Sequence, residues 1–379
     1  MLTHLGNITI EEFLRDYWQQ KPLLVRNAFP DFESPLSPDE LAGLALEEDV
    51  ESRIVMEQGP EGPWQLLNGP FDEETFAKLP EENWTLLIQA VDQWVPEAKA
   101  LLEQFRFLPS WRLDDLMVSY APKGGSVGPH FDYYDVFLIQ GYGKRHWQVG
   151  PKADDESPRV AGTKLRILDQ FEVEQEWTLE AGDMLYLPPQ YSHNGVAVDD
   201  CLTYSIGFRA PSVGEIIDDV ATDAISQHRD HQRYTDPNEI LQHPGEVTPA
   251  AINRLKEILS EALLDEQLLR NWLGRYMTMR KYPELEISDG QPQQWLDALE
   301  QGAHLERHPA SRFAFAKLNE KKAELFVDGE AVKTDLAFAE LLCSDEPLEL
   351  YSLQSYLLVP ESKDVIEQLV EYGALFIEY

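Results

Sequence analysis

Residues 126–149 read SVGPHFDYYDVFLIQGYGKRHWQV, and how this stretch is assigned decides the fold. It is dense in aromatic and β-branched residues, the composition of a strand on a pleated, half-buried surface. His130 and Asp132 are separated by one residue, and positions i and i+2 of a strand point to the same side of a sheet. The spacing therefore predicts an imidazole and a carboxylate aimed at one point. Residues 140–144, QGYGK, carry the glycines of a tight turn, which predicts a hairpin pairing residues 135–140 with residues 144–149. Alternation along the second strand puts Arg145, Trp147 and Val149 on one face and Lys144, His146 and Gln148 on the other. A guanidinium on an apolar inward face needs an anion to offset its desolvation. A dicarboxylate gripped by the arginine fork would supply that anion, and an internal Arg–Asp/Glu bridge is the plainer alternative.

A third donor follows in GDMLYLPPQYSH, residues 182–193. Gly182-Asp183 signals a turn and 184–187 a short apolar strand, which the two prolines end, throwing the chain toward His193. His130, Asp132 and His193 would together form the two-imidazole, one-carboxylate facial triad that leaves positions open on non-haem Fe(II). The same donors also hold catalytic zinc, so a zinc-dependent enzyme on a cupin barrel remains an alternative. Residues 111–120 read as the first strand of that barrel, with Asp115, Met117 and Ser119 on one face. There the Asp115 carboxylate is a candidate to grip a cationic substrate, or else a cap or loop ion pair.

Four separated segments, HFD (130–132), YDVFLIQGYGKRHWQVG (134–150), GDMLYLPPQYSHNGVAV (182–198) and LTYSIGFRAP (202–211), together resemble the bacterial ribosomal oxygenases. These are JmjC-type, cupin-like enzymes that hydroxylate an arginine of a large-subunit ribosomal protein. The resemblance covers nearly the whole chain. It implies a dioxygenase that uses Fe(II), O2 and 2-oxoglutarate as cosubstrate, releasing succinate and carbon dioxide. It places Ser119 near 2-oxoglutarate alongside Arg145, and Asp115, Tyr134 and Ser205 around the substrate guanidinium. Related animal enzymes act on histidine, so a histidyl hydroxylase is the nearest alternative.

The 379 residues exceed the usual size of one hydrophobic core. The expected class is α+β, a double-stranded β-helix (jelly roll) of six to eight short strands followed by helical parts. Residues 8–20 read as a helix with Phe13, Tyr17 and Trp18 on its apolar face. Residues 22–26, 52–57 and 84–91 read as strands, and loop and helix fill the proline- and glycine-bearing stretch between the last two. Residues 165–171, 174–179 and 202–208 return to strand character. Beyond Pro211 the spacing of Ile252, Leu255, Leu259 and Leu263 is helical. The resemblance implies that this region, 211–290, forms a homodimer after a catalytic domain at 1–210. It further implies a winged-helix-like domain at 291–379. His228 and His231 form an HxxH pair without a third ligand near them, which reads as solvated.

Sixty-eight acidic against thirty-one basic residues give a formal charge of -37. Such a field repels phosphate backbones and draws in basic partners, so the expected partner is a basic ribosomal protein, with no direct nucleic-acid binding. The same charge keeps open a non-catalytic acidic ribosome-assembly factor. Two cysteines far apart, no basic-apolar leader and no long apolar run predict a cytoplasmic protein that does not enter a membrane.

Overall fold

The computed structural model describes residues 1–57, 63–228, 231–240, 242–283, 285 and 294–379. It divides into two compact units, Met1–Ala210 and Pro211–Tyr379.

The first unit opens with a two-strand ribbon, β1 (His4–Leu5) and β2 (Ile8–Thr9), leading into α1 (Ile10–Asp16). The Thr9 hydroxyl accepts from the Glu12 amide while the Glu12 carboxylate accepts from the Thr9 amide, a reciprocal cap that fixes where the helix starts. The helix is shorter than residues 8–20: Tyr17 already leaves helical geometry at its C-terminal cap, and Gln19 then turns the chain with a φ of 58°. After β3 (Leu23–Val25), α2 (Pro38–Leu44) starts at Ser37, with proline in its first turn. Then follow β4 (Ser52–Glu57), β5 (Trp64–Asn68), α3 (Glu73–Ala77), β6 (Trp84–Ile88) and α4 (Pro96–Glu103). The stretch read as loop and helix thus also holds a strand, β5, paired with β4. Part of that stretch, 58–62, lies outside the described residues. β6 stops before residue 91, because Ala90 is left-handed and a single 3-10 turn follows.

The barrel strands are β7 (Leu113–Ala121), β8 (Val136–Tyr142), β9 (Arg145–Lys152), β10 (Gln175–Leu179), β11 (Met184–Leu187), β12 (Tyr191–Ala197) and β13 (Cys201–Phe208). They form two antiparallel sheets, one ordered β3-β11-β8-β13-β7-β6-β4-β5 and the other β10-β9-β12. The expected jelly roll is present, but the expected hairpin is not. β8 pairs with β11 and β13, whereas β9 pairs with β10 and β12. The glycine turn therefore carries the chain from one sheet to the other. β8 already has a neighbour on each edge, leaving no edge for β9. Residues 165–171 form no strand either, only an isolated bridge between Arg159 and Leu168.

The large sheet is covered on both faces. Outward, Leu86, Ile88, Val118, Phe137, Ile139, Tyr186 and Ile206 pack with Phe13, Leu41, Leu101 and Leu102 of the helices. Inward, Val136, Leu138, Leu185 and Leu187 meet Trp147, Val149 and Leu179 of the small sheet. Burial on both sides explains why β8 reads as a nearly continuous apolar run.

In the second unit, α5 (Val213–Gln227) and α7 (Glu266–Thr278) share a cluster of Val220, Ala224, Leu268 and Trp272, against which Leu263 at the end of α6 (Pro249–Leu263) packs. A second core lies among α8 (Trp295–Glu300), β14 (His304–Arg307), β15 (Phe313–Lys317), β16 (Lys322–Val327), β17 (Glu330–Asp335), α9 (Leu336–Leu342), β18 (Leu348–Glu349), α10 (Leu350–Leu353), α11 (Pro360–Glu371) and β19 (Leu375–Glu378). Asp328-Gly329 turns the β16–β17 hairpin, with Gly329 at a φ of 86°. The expected boundary between 290 and 291 lies outside the described residues. His228 and His231 are exposed, and His228 contacts Gln232. Among the described residues no helix is long and apolar enough to cross a membrane.

Candidate metal centre

His130, Asp132 and His193 each offer a donor atom, and these atoms lie within 4.8 Å of one another. The mechanism of convergence differs from simple strand alternation. His130 sits on an isolated bridge to His193, with reciprocal amide-to-carbonyl bonds of 3.0 and 2.8 Å. Asp132 follows in irregular backbone whose carbonyl accepts from the Gln190 amide at 2.6 Å. A register shift in β12 between Tyr191 and His193 marks the kind of irregularity that re-aims a side chain.

The tautomers are set by the surroundings. Nδ1 of His130 lies 2.9 Å from the Gly128 carbonyl, and Nδ1 of His193 lies 2.9 Å from that of Tyr191. A carbonyl only accepts, so both Nδ1 atoms carry the proton and both Nε2 atoms present a lone pair, the usual arrangement of metal-binding histidines. The His193 Nε2 lies 3.7 Å from the Asp132 carboxylate. Burial, with His130 beside it, pushes the His193 pKa down to about 4, so its imidazole is neutral at physiological pH.

Arg145 projects inward from β9 and is 3% exposed. Its Nη1 is 3.4 Å from the Ser119 hydroxyl, its Nη2 donates to the Gly195 carbonyl at 3.2 Å, and its buried Nε has no partner. Among the described residues no acidic side chain pairs with it. The internal bridge left open by the sequence is therefore not made. Burial pulls its pKa below the usual arginine value. The Trp147 ring, 5.4 Å from the guanidinium, gives partial compensation only. Desolvation of an unpaired ion costs several kcal/mol, ~3–5 by analogy with broken buried pairs, which an incoming carboxylate would offset.

Asp115 is buried, and its Oδ2 accepts from the Ala90 amide at 2.9 Å. Tyr134 is half-exposed. The Asp132 charge, reinforced by desolvation and by Asp115, holds its phenol well above the usual pKa. Ser205 is buried on β13 opposite Met117. Two features escaped the sequence reading. Gly195 lies beneath Arg145 and Trp147, where a Cβ would come within 2.8 Å of both; its one signal was a glycine inside a strand. Asp135, fully buried, anchors the end of the metal segment by accepting from Tyr186, Gln19 and Arg112.

A jelly roll that gathers two imidazoles and a carboxylate beside a buried, unpaired arginine defines the class of cupin-like oxygenases. Comparison with known proteins agrees. Residues 100–216 match the JmjC domain family and residues 259–376 the ROXA-like winged helix. The chain is 40% identical to the ribosomal protein uL16 3-hydroxylase of Escherichia coli (strain K12), over 78% of this chain and 79% of that protein. It is 39% identical to a probable ribosomal oxygenase of Haemophilus influenzae, over 75% and 72% respectively. A solved structure of YcfD, a ribosomal oxygenase from Escherichia coli, in complex with cobalt and 2-oxoglutarate superposes with a TM-score of 0.85 at 35% identity, covering 99% of this chain and all of that one. The chain belongs to the JmjC-type ribosomal oxygenases of bacteria.

Proposed function

We propose that the protein hydroxylates an arginine side chain of a large-subunit ribosomal protein, using Fe(II), 2-oxoglutarate and O2. The observation that carries this reading is Arg145: a buried guanidinium without an internal anion among the described residues, on the same barrel face as the triad-neighbouring Trp147. When bound, iron and 2-oxoglutarate supply the oxidising power for hydroxylating an unactivated carbon, the cosubstrate leaving as succinate and carbon dioxide. The Nε2 atoms of His130 and His193 and the Asp132 carboxylate hold the metal. Arg145, with the Ser119 hydroxyl beside it, grips the distal carboxylate of 2-oxoglutarate. A zinc hydrolase gives Arg145 no such task, and a non-catalytic assembly factor needs neither feature.

The relatives support the substrate class. One is named a uL16 3-hydroxylase, and the charge of -37 suits a basic ribosomal protein. Asp115, Tyr134 and Ser205 are assigned to the substrate, the Asp115 carboxylate favouring a guanidinium over a neutral imidazole. Intact-mass measurement of the ribosomal proteins of a host with and without this gene tests the reading. The expected result is a shift of one oxygen on uL16, mapped to arginine by fragmentation. A shift mapped to histidine would replace the arginine assignment, and no shift would remove the proposed activity.

Residues 211–290 are assigned to homodimerisation. Val213, Ile217 and Ile225 of α5 and Ile252, Leu255 and Leu259 of α6 are all exposed, an apolar display that a second copy would cover. Sedimentation should give a dimer at micromolar concentration, and Leu255→Glu with Leu259→Glu should give a monomer. A monomeric unsubstituted protein would withdraw the assignment.

A further inference from the structure

Most glycines around the barrel mouth have a structural reason to be glycine. Gly128 has a φ of 81°, and at Gly195 a Cβ would strike Arg145 and Trp147. Gly207 has neither reason. Its φ lies outside the left-handed range, and a Cβ built there meets nothing nearer than 3.8 Å. The two atoms at that distance are Oδ1 of Asp115 and Cε2 of Tyr134.

Register explains the neighbourhood. Gly207 lies opposite Asp115, Ser205 opposite Met117 and Thr203 opposite Ser119, and directly opposed residues share a face of the sheet. β13 thus runs Thr203, Ser205, Gly207 along the row that begins at Ser119 beside Arg145 and ends at Asp115. Side-chain size falls along that row. Gly207 is also the only residue of β13 that is not buried, so the surface above it is open. Since neither backbone nor packing forbids a side chain, what the glycine provides is space.

We propose that Gly207 is a specificity-determining residue: the side chain it lacks leaves a slot bordered by the Asp115 carboxylate and the Tyr134 ring, which admits a planar cationic side chain of the substrate. The slot adjoins the metal segment, because Tyr134 stands two residues after Asp132 in the chain. Asp115 supplies the charge and the Tyr134 ring an aromatic wall for a flat cation, an arrangement favourable to a guanidinium. This rests on reading the barrel mouth as the substrate site.

The test uses full-length protein, the uL16 protein of the same host, and the Gly207→Ala and Gly207→Val variants. Filling the slot should lower kcat/KM for uL16 about tenfold in Gly207→Ala and about a hundredfold in Gly207→Val, since an occupied pocket forces a steric penalty on the ligand. Both variants should melt within a few degrees of the unsubstituted protein; if Gly207→Val does not fold, the tenfold loss in Gly207→Ala decides. Unchanged hydroxylation by the folded variants would overturn the slot and leave the proposed activity standing. If the unsubstituted protein leaves uL16 unmodified, the proposed activity fails, and saturation-transfer NMR with methylguanidinium decides the slot alone. Signal transfer present in the unsubstituted protein and lost in Gly207→Val supports it, whereas equal transfer in both, or none in either, overturns it.

Discussion

His130→Ala is expected to abolish measurable 2-oxoglutarate turnover while leaving the fold and the oligomeric state unchanged. His130 and His193 are held by reciprocal backbone bonds, which do not depend on the imidazole itself. Removing the ring takes away one of three donors and also the partner of the Gly128 carbonyl. Changes one shell further out already cost about 10–100-fold in metal affinity, so loss of a donor atom should cost more. His130 is only partly buried, which limits the packing lost on truncation. Thermal unfolding of metal-free His130→Ala should therefore resemble that of the unsubstituted protein, while the rise in melting temperature on adding Mn(II) should vanish. Anaerobic titration with Fe(II) and 2-oxoglutarate gives the second readout, a visible charge-transfer band present before the substitution and absent after it. Retained turnover, or a retained band, would dismiss His130 as a ligand.

The triad was legible although the local geometry behind it was not. The one-residue spacing of His130 and Asp132 predicts strand alternation, yet Asp132 lies in irregular backbone and His130 reaches the site through its bridge to His193. The donor chemistry survived because it depends on which residues are present, more than on the regularity of the chain between them. Arg145 was placed on the inward face for a sound reason, since alternation along a strand holds whatever that strand pairs with. Its pairing failed for the complementary reason. A glycine turn reports a change of direction, and which sheet receives the next strand is settled by edges already occupied far away in sequence, here by β11 and β13 beside β8. At Gly195 and Gly207 the sequence shows only a glycine inside a strand, because the atoms that crowd or border them come from distant parts of the chain. In the second unit the helical spacing of α6 was visible, since an amphipathic helix records its own faces. Short strands such as β14 and β18 were not, because so few residues carry too little periodicity.

Arg145→Met separates function from stability by moving them in opposite directions. A bidentate contact between a guanidinium and a carboxylate in a desolvated site is worth about 2–5 kcal/mol when one partner is removed. The concentration of 2-oxoglutarate needed for half-maximal turnover should therefore rise roughly 30-fold to several thousand-fold. Arg145→Lys should fall between, keeping a charge but losing the planar fork and the stack on Trp147. Stability follows the other sign. Before cosubstrate binds, the protein carries the desolvation cost of an inward cation whose Nε has no partner. An apolar side chain of similar length removes that cost, and such replacements of buried ions are commonly neutral or stabilising by about 1–4 kcal/mol. Metal-loaded Arg145→Met without cosubstrate should accordingly melt at the same or a higher temperature than the unsubstituted protein. The further stabilisation that 2-oxoglutarate gives should disappear from it. If Arg145 were instead a structural strut, holding Gly195 and Ser119 in place, the substitution would lower the melting temperature and leave the cosubstrate requirement unchanged. A buried arginine without an internal anion is a cost that the fold alone does not justify, and a ligand that brings a carboxylate removes it.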